Sequence, residues 1–353
     1  MEKEYLIIGQ GIAGSMIAFE LHQRSVSFDI INKTDYASSS HVAAGLYNPI
    51  TGRKMVKTWN ADQIFSGLER YYEELERFLR SKFLYSSKIY RPFFSLEEQN
   101  DWQGRLGDGG FNAFVEEVKS GKSANEAIID GFGGLHLKSA GYVDTTAMLE
   151  SFKRFYLELG AYKEVDFDFS DLEEKTNAYA YRGIRYKGVI FCEGNNVRNN
   201  PYFNWLPLKP VKGEIIDINI DYDESFILNR GVFMLPKTAE GYSRVGSTYD
   251  NHRLNHEPTA EALEYLTDKL GVIYTRDFNL FRHRAGIRPA TRDRKPFVGR
   301  HPDKKELTIF NGLGTKGVSL AVYYAKQFAD FLTNETPIDD EVNIERFFSF
   351  YSN

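Results

Sequence analysis

Residues 9–14 read Gly-Gln-Gly-Ile-Ala-Gly, set between an apolar run, Tyr5–Ile8, and a stretch that places Ala13, Ile17, Ala18 and Leu21 on one helical face. A second apolar run, Val26–Ile31, follows. Strand, glycine turn, helix and strand in that order and spacing predict a βαβ unit that binds a dinucleotide. Each glycine has its own task there. Gly9 permits the tight turn, Gly11 lets a pyrophosphate approach the backbone, and Gly14 lets the helix pack closely on the strand. The first helical residues, Ile12 and Ala13 among them, offer N–H groups that no earlier turn can satisfy. The plain alternative is a structural glycine turn. Where such units place an acid for the ribose stands Asn32, which bonds a hydroxyl without the charge assistance of a carboxylate. Lys33 follows, and by itself it suits a 2′-phosphate, so this motif alone leaves FAD and NADP both open.

Further along, the pattern changes character twice. A long amphipathic helix is expected over Ala61–Lys82, and Phe93–Leu137 reads as irregular, rich in glycine and charge. Asp144 is a good N-cap for a helix that Gly160 closes. Gly188–Cys192 reads as a buried strand, with Glu193-Gly194 at its end. Glu214–Ile220, Val232–Leu235 and Ser243–Gly246 are strand-like, Thr259–Leu270 helical. Leu307–Phe310 is a short strand, Gly312–Gly317 a glycine turn, and Val318–Leu332 an apolar helix. With α/β segments at both ends and a β-rich block between, the expected fold class is α/β with an α+β second domain. It consists of a discontinuous Rossmann-like nucleotide domain and an inserted β-rich substrate domain. The 27 Phe and 22 Tyr supply material for a sizeable core.

A net charge of −5 argues against a general nucleic-acid binder. The one cysteine, Cys192, makes neither an intrachain disulfide nor a Cys-based zinc site, and fits a reducing, cytoplasmic setting. No stretch approaches the roughly 18 apolar residues of a membrane span. The opening apolar run is too short for a secretory signal.

Five segments, Ile8–Leu21, Ser38–Gly45, Leu206–Gly213, Gly286–Gly299 and Gly312–Leu332, resemble the D-amino-acid-oxidase-like FAD-dependent oxidoreductases. That group includes glycine oxidase, sarcosine oxidase and D-amino acid dehydrogenases, and the match looks closest to the oxidoreductase domain of the bacterial enzyme that makes methylaminomethyl-uridine in tRNA. The resemblance implies FAD as cofactor, with residues 1–58, 139–205 and 286–353 as the FAD-binding domain and 59–138 and 206–285 as the substrate domain. It also implies that Ser38–Gly45 passes under the flavin, where Ser39 and Ser40 can meet polar oxygens and Ala43, Ala44 and Gly45 let the backbone approach a flat ring. His41 lies two positions before Ala43-Ala44-Gly45, whereas relatives that attach FAD through histidine place it directly before two alanines, so non-covalent binding is expected. Gly194 joins the cofactor set at the end of its strand. Gly312, Gly314, Thr315, Lys316 and Gly317 resemble the family's closing flavin loop, whose N–H groups face the electron-rich edge of the reduced ring.

Gly286-Ile287-Arg288-Pro289-Ala290-Thr291 carries the family's arginine that binds the substrate carboxylate, and a guanidinium can do so through two parallel bonds. Arg288 is therefore the expected clamp; the alternative is an arginine satisfied by a structural Asp or by backbone carbonyls. Arg244 sits in the register of a lysine that helps oxygen react in sarcosine oxidase, which implies a catalytic, electrostatic role; the alternative is a structural ion pair. Tyr47 and Arg53 follow the flavin-passing segment and are expected at the substrate pocket, with Lys54 and Lys57 solvated. The implied reaction is oxidation of the C–N bond of a small amino acid or N-substituted glycine by hydride transfer to flavin, which needs no base on carbon. Three alternatives stay open: oxidation of a carboxymethylaminomethyl-uridine in tRNA, guided by the basic run Arg282, His283, Arg284, Arg288, Arg292, Arg294 and Lys295; an FAD-binding protein without turnover; and an NADP-linked reductase.

Overall fold

A computed structural model of the chain describes residues 2–33, 38–52, 54–107 and 109–351. The opening unit is β1 (Glu2–Ile8), α1 (Ile12–Gln23) and β2 (Phe28–Asn32). β1 runs parallel to β2 on one side and to Ile184–Phe191 on the other. Tyr162–Glu164 extends the parallel arrangement beside β2, and Leu307–Asn311 extends it beside Ile184–Phe191. Leu6, Ile7, Ile30, Val189, Ile190, Leu307 and Ile309 are fully buried, which explains why these strands read as unbroken apolar runs rather than alternating ones. Leu172–Lys175, Ala178–Tyr181 and Phe297–Arg300 add antiparallel members, giving an 8-stranded sheet. This mixed α/β core is Rossmann-like. The helix Gly317–Asn334 packs beside α1 on it.

A second 8-stranded sheet runs in the order Phe278–Arg288, Val211–Ile220, Ser243–Gly246, Val232–Met234, Ile227–Arg230, Ile89–Pro92, Gly134–Leu137 and Val115–Lys119. Antiparallel pairing of Val211–Ile220 with Phe278–Arg288 is the longest match, from Val211 opposite Arg288 to Ile220 opposite Phe278. Alternate residues of this ladder share a face. Lys212, Glu214, Ile216 and Ile218 lie on one face; Gly213, Ile215 and Asp217 lie on the other. A small three-stranded sheet of Leu46–Tyr47, Gly141–Val143 and Leu84–Ser86 joins pieces far apart in sequence.

Two segments differ from their expectations. The helix expected over Ala61–Lys82 is two helices, Ala61–Phe65 and Leu68–Leu79, because the chain breaks at Gly67, a poor helix former. Within Phe93–Leu137 lie a helix, Leu96–Gly107, and two strands; the helix buries only Gln99 and Trp102, so its sequence shows little apolar periodicity. The basic run at 282–288 is a strand at the sheet edge, whose outer half exposes Leu280, Phe281 and Arg282. Asp144 caps Thr145–Glu158 as expected, accepting the Ala147 N–H at 3.0 Å. Among the described residues no helix is long and apolar enough to cross a membrane.

Candidate active site

The site begins where the parallel strands end. Gly9 follows β1 with φ 97°, and a Cβ there would stand 2.5 Å from the Cys192 carbonyl oxygen. A Cβ on Gly14 would stand 1.9 Å from the Gly9 oxygen, so turn and helix touch backbone to backbone. Gly11 differs. A Cβ there would meet only the Ser40 side chain, with Oγ at 2.9 Å, and Gly11, as the N-cap residue of α1, brings no side chain of its own to the helix start. The approach to the helix start is thus kept clear of backbone, as a pyrophosphate requires. Ser40 Oγ accepts the Ile12 N–H at 3.2 Å, showing that an oxygen fits there.

Asn32 braces the turn. Its Oδ1 accepts the Gln10 N–H at 2.9 Å, while its Nδ2 donates to the Lys33 carbonyl at 2.9 Å and to the Tyr162 hydroxyl at 3.1 Å. An acid could accept the first bond but could not donate the second. Lys33 is exposed and pairs with Asp166 at 3.1 Å.

Ser39–Val42 is one short helical turn, and its Ser38 cap accepts the His41 N–H. Gly286 lets this turn lie on the second sheet: a Cβ there would be 3.1 Å from Val42 Cβ and 3.3 Å from Ser39 Cα. The Ala43 and His41 carbonyls accept from the Thr145 and Thr146 hydroxyls at 3.3 and 3.2 Å. Ala43 and Ala44 then lead to Gly45, whose φ of 69° and contact with Val143, 1.8 Å from a built Cβ to the carbonyl oxygen, admit only glycine.

The closing glycine turn arrives at the same place. Gly312 and Gly314 have φ of 74° and 58°, and Gly314 N–H donates to the Pro289 carbonyl at 3.1 Å. Thr315 is exposed, and Lys316 precedes the helix Gly317–Asn334, which has no side-chain cap. A Cβ on Gly317 would touch Ile12 Cδ1 at 3.4 Å. Two helix starts whose N-cap residues give no side-chain bond therefore converge, each with the positive end of its dipole. Lys316 Nζ donates to Thr58 Oγ1 at 3.4 Å; burial, then the Arg294 charge, holds its pKa below the usual lysine range. Gly194 has φ 57°, and its carbonyl accepts from Asn311 Nδ2 at 2.9 Å. Beside it, burial pushes the Glu193 carboxyl up to about 7, against the opposing bond from Asn200.

Arg288 stands two residues before Ala290, whose Cα would lie 3.5 Å from a Cβ on Gly314. Its Nη1 donates to the Thr248 carbonyl at 3.1 Å and its Nη2 to Ser247 Oγ at 2.7 Å, and the Tyr249 ring centre is 4.8 Å away. No carboxylate among the described residues pairs with it. Burial lowers its pKa, with Tyr249 opposing. Arg244 is the contrary case: its Nε donates to Asp217 at 2.7 Å, and its Nη1 and Nη2 to the Ala43 carbonyl and the Tyr242 hydroxyl at 3.5 and 3.3 Å. Tyr47 is buried, with its hydroxyl donating to Glu69 at 2.8 Å. Arg53 lies outside the described residues. Ser247, Tyr249, Asp217, Thr145 and Thr146 were not singled out by sequence; nothing local marks them, because each reaches the site through strand register or a helix start.

The FAD dependent oxidoreductase family model, DAO, matches residues 4–331. Over 139 residues the chain is 32% identical to glycine oxidase of Pseudomonas putida, covering 38% of each protein. Over 346 residues it is 23% identical to the tRNA 5-methylaminomethyl-2-thiouridine biosynthesis bifunctional protein of Legionella pneumophila, covering 86% of this chain and 46% of that one. The chain thus spans less than half the length of these curated relatives. Glycine oxidase from Geobacillus kaustophilus shares the fold, with a TM-score of 0.78, 17% identity and 98% of each chain covered.

Proposed function

The chain belongs to the FAD dependent oxidoreductases, and from that premise we propose that it oxidises the C–N bond of a small amine that carries a carboxylate, a small amino acid or an N-substituted glycine. One observation carries this reading: Arg288 is a guanidinium with uncharged partners beside the convergence of the two glycine turns. A half-buried arginine with no carboxylate partner among the described residues is poised for an anion brought by a ligand.

FAD, when bound, supplies the acceptor for the hydride leaving the carbon beside the nitrogen. The chain's own residues do the rest. Gly9, Gly11, Gly14 and the N–H groups of Ile12 and Ala13 would hold the pyrophosphate, with Ser40, which bonds the Ile12 N–H, beside them. Asn32 shapes the turn, with Lys33 at its outer edge. Ser39, Ala43, Ala44 and Gly45 let the backbone lie along the ring, with Gly194 at the neighbouring strand end. Gly312 and Gly314 shape the closing turn through bonds within the chain, so that the N–H groups of Thr315 and Gly317 and the Lys316 cation would stand toward its polar edge. Arg288 has five N–H donors; its bonds to Ser247 and Thr248 use two and orient the fork. Holding the carboxylate fixes the reacting carbon, which is where positioning lowers the barrier.

The tRNA reading is weakened by the strand at 278–288. Arg282 and Arg284 share Asp217, His283 meets Glu214 at 2.9 Å, and Lys295 pairs with Glu341. Arginines and a lysine already matched to carboxylates release few counterions on meeting phosphate, which leaves Arg288, Arg292 and Arg294 as the arginines of the run with no such pair among the described residues.

The test is anaerobic titration of the yellow protein with glycine, sarcosine, D-amino acids and proline, followed by flavin absorbance. At least one should bleach the flavin, and the matching amine without its carboxylate should not. Bound FAD that no amine reduces would sink the proposal. Filter binding of tRNA across salt should show no steep dependence.

A further inference from the structure

Asp217 is fully buried, on the face of Val211–Ile220 that also carries Gly213. Its Oδ1 accepts from Arg244 Nε at 2.7 Å and its Oδ2 from Arg284 Nη2 at 2.8 Å; Arg282 Nε lies 3.4 Å from Oδ2. Both of the closer arginines reach onward. Arg244 Nη1 donates to the Ala43 carbonyl at 3.5 Å, and Arg284 Nη1 to the His41 carbonyl at 3.4 Å. These carbonyls also accept the Thr145 and Thr146 hydroxyls. The 41–43 backbone is therefore gripped from two sides: by a helix start, and by two guanidiniums that one carboxylate holds together.

We propose that Asp217 is a positioning residue for the flavin, acting through Arg244 and Arg284 to fix the backbone of residues 41–43 against the ring. The inference rests on the reading that residues 39–45 run along the flavin. The physical reason is charge. Two guanidiniums cannot share a shielded face without a counter-charge. Without Asp217 they separate or recruit water, and the carbonyls they hold lose their donors. Arg244 and Arg284 approach their carbonyls at long hydrogen-bond distances, so each grip is weak and the anchor at Asp217 decides where the fork stands. This gives Arg244 a role different from direct oxygen chemistry: it transmits the position of a carboxylate to the flavin-passing segment.

The test uses the FAD-loaded protein and reads the flavin itself. Asp217→Asn keeps the shape and removes the charge. It should change the visible circular dichroism and absorption envelope of the bound flavin and raise the dissociation constant of FAD by about tenfold or more. Glu214→Gln is the control: it disturbs a buried cluster with Lys212, His283 and Thr259 on the opposite face of the same strand. It should lower thermal stability and leave the flavin spectrum as in the parent. Arg284→Gln, which leaves Asp217 paired to Arg244, serves if Asp217→Asn does not fold; it should move the spectrum in the same direction and weaken FAD by about threefold to tenfold. An unaltered spectrum and FAD affinity in Asp217→Asn, or in Arg284→Gln where the first is unfolded, overturns the proposal. The readout needs no turnover, so failure of every amine to reduce the flavin would count against the proposed reaction and not against this assignment.

Discussion

A Cβ built on Gly213 would stand 1.9, 2.1 and 2.3 Å from Nη2, Cζ and Nη1 of Arg288, so the guanidinium lies face-on against the backbone of the neighbouring strand. Glycine is needed there because the plane of the clamp occupies the side-chain space. Gly213→Ala should therefore displace Arg288 while leaving every charge in place. We expect kcat/KM for a carboxylate-bearing amine to fall by about 100-fold or more, on the order of 3 kcal/mol of lost positioning, with FAD affinity unaltered. Steady-state kinetics within threefold of the parent would separate Arg288 from substrate binding.

Arg288→Lys tests the same clamp from the other side. Lysine keeps the charge and loses the planar fork. The variant should lose roughly 2–4 kcal/mol in kcat/KM, about 30- to 1000-fold, for amines with a carboxylate. It should lose far less for any slow substrate without one. An equal loss for both kinds would assign Arg288 to the fold.

Gly11 and Gly14 should part company. Gly14→Ala drives a methyl group to within 1.9 Å of the Gly9 oxygen and should yield little folded protein. Gly11→Ala meets only Ser40 Oγ, which can rotate away. It should fold to near-parental secondary structure by circular dichroism yet bind FAD at least about tenfold more weakly, because the methyl group stands where a phosphate must approach. Equal FAD retention in a folded Gly11→Ala would remove the pyrophosphate from this turn.

Glu193 makes stability depend on pH. Its carboxyl is raised from 4.5 to about 7, by burial first, so the folded state holds this proton more tightly than the unfolded chain. The stability it contributes is whole below pH 4.5 and declines as pH rises through 7. Denaturant unfolding of the flavin-free protein should show the parent losing about 1–3 kcal/mol relative to Glu193→Gln between pH 5 and pH 8. A pH-independent difference would mean that Glu193 titrates in its ordinary range.

Tyr47→Phe asks whether the phenol serves substrate or fold. Its hydroxyl is committed to Glu69, with Ser86 at 3.4 Å. Removing it should cost about 1–2 kcal/mol of stability and leave kcat/KM within about twofold. A large kinetic loss with little loss of stability would return Tyr47 to the pocket.

The glycine turn at 9–14 was readable because its meaning is local: three glycines, an apolar strand before and a helix after leave few other conformations. The second strand and the closing helix were readable for the same reason, since parallel strands buried on both faces are apolar throughout. The helix break at Gly67 and the helix at 96–107 were harder, because a weak helix former and a mostly solvated helix each leave only a faint periodic signal. The basic run from Arg282 to Lys295 could not be weighed from composition alone, because the partners of Arg282, His283 and Arg284, Asp217 and Glu214, lie about 70 residues earlier in the chain.

The amino-acid order by itself determined a dinucleotide turn at one end, a glycine loop at the other, and an arginine between them of the type that grips carboxylates. Only the tertiary structure decided that these three meet, that Arg288 has no carboxylate partner among the described residues while Arg244 has Asp217, and that Tyr47 turns into the core. The reason is physical. A hydrogen-bonded turn is fixed by neighbours in the chain, but whether a charge is paired depends on which distant strand lies opposite, and that register is set only when the sheet forms.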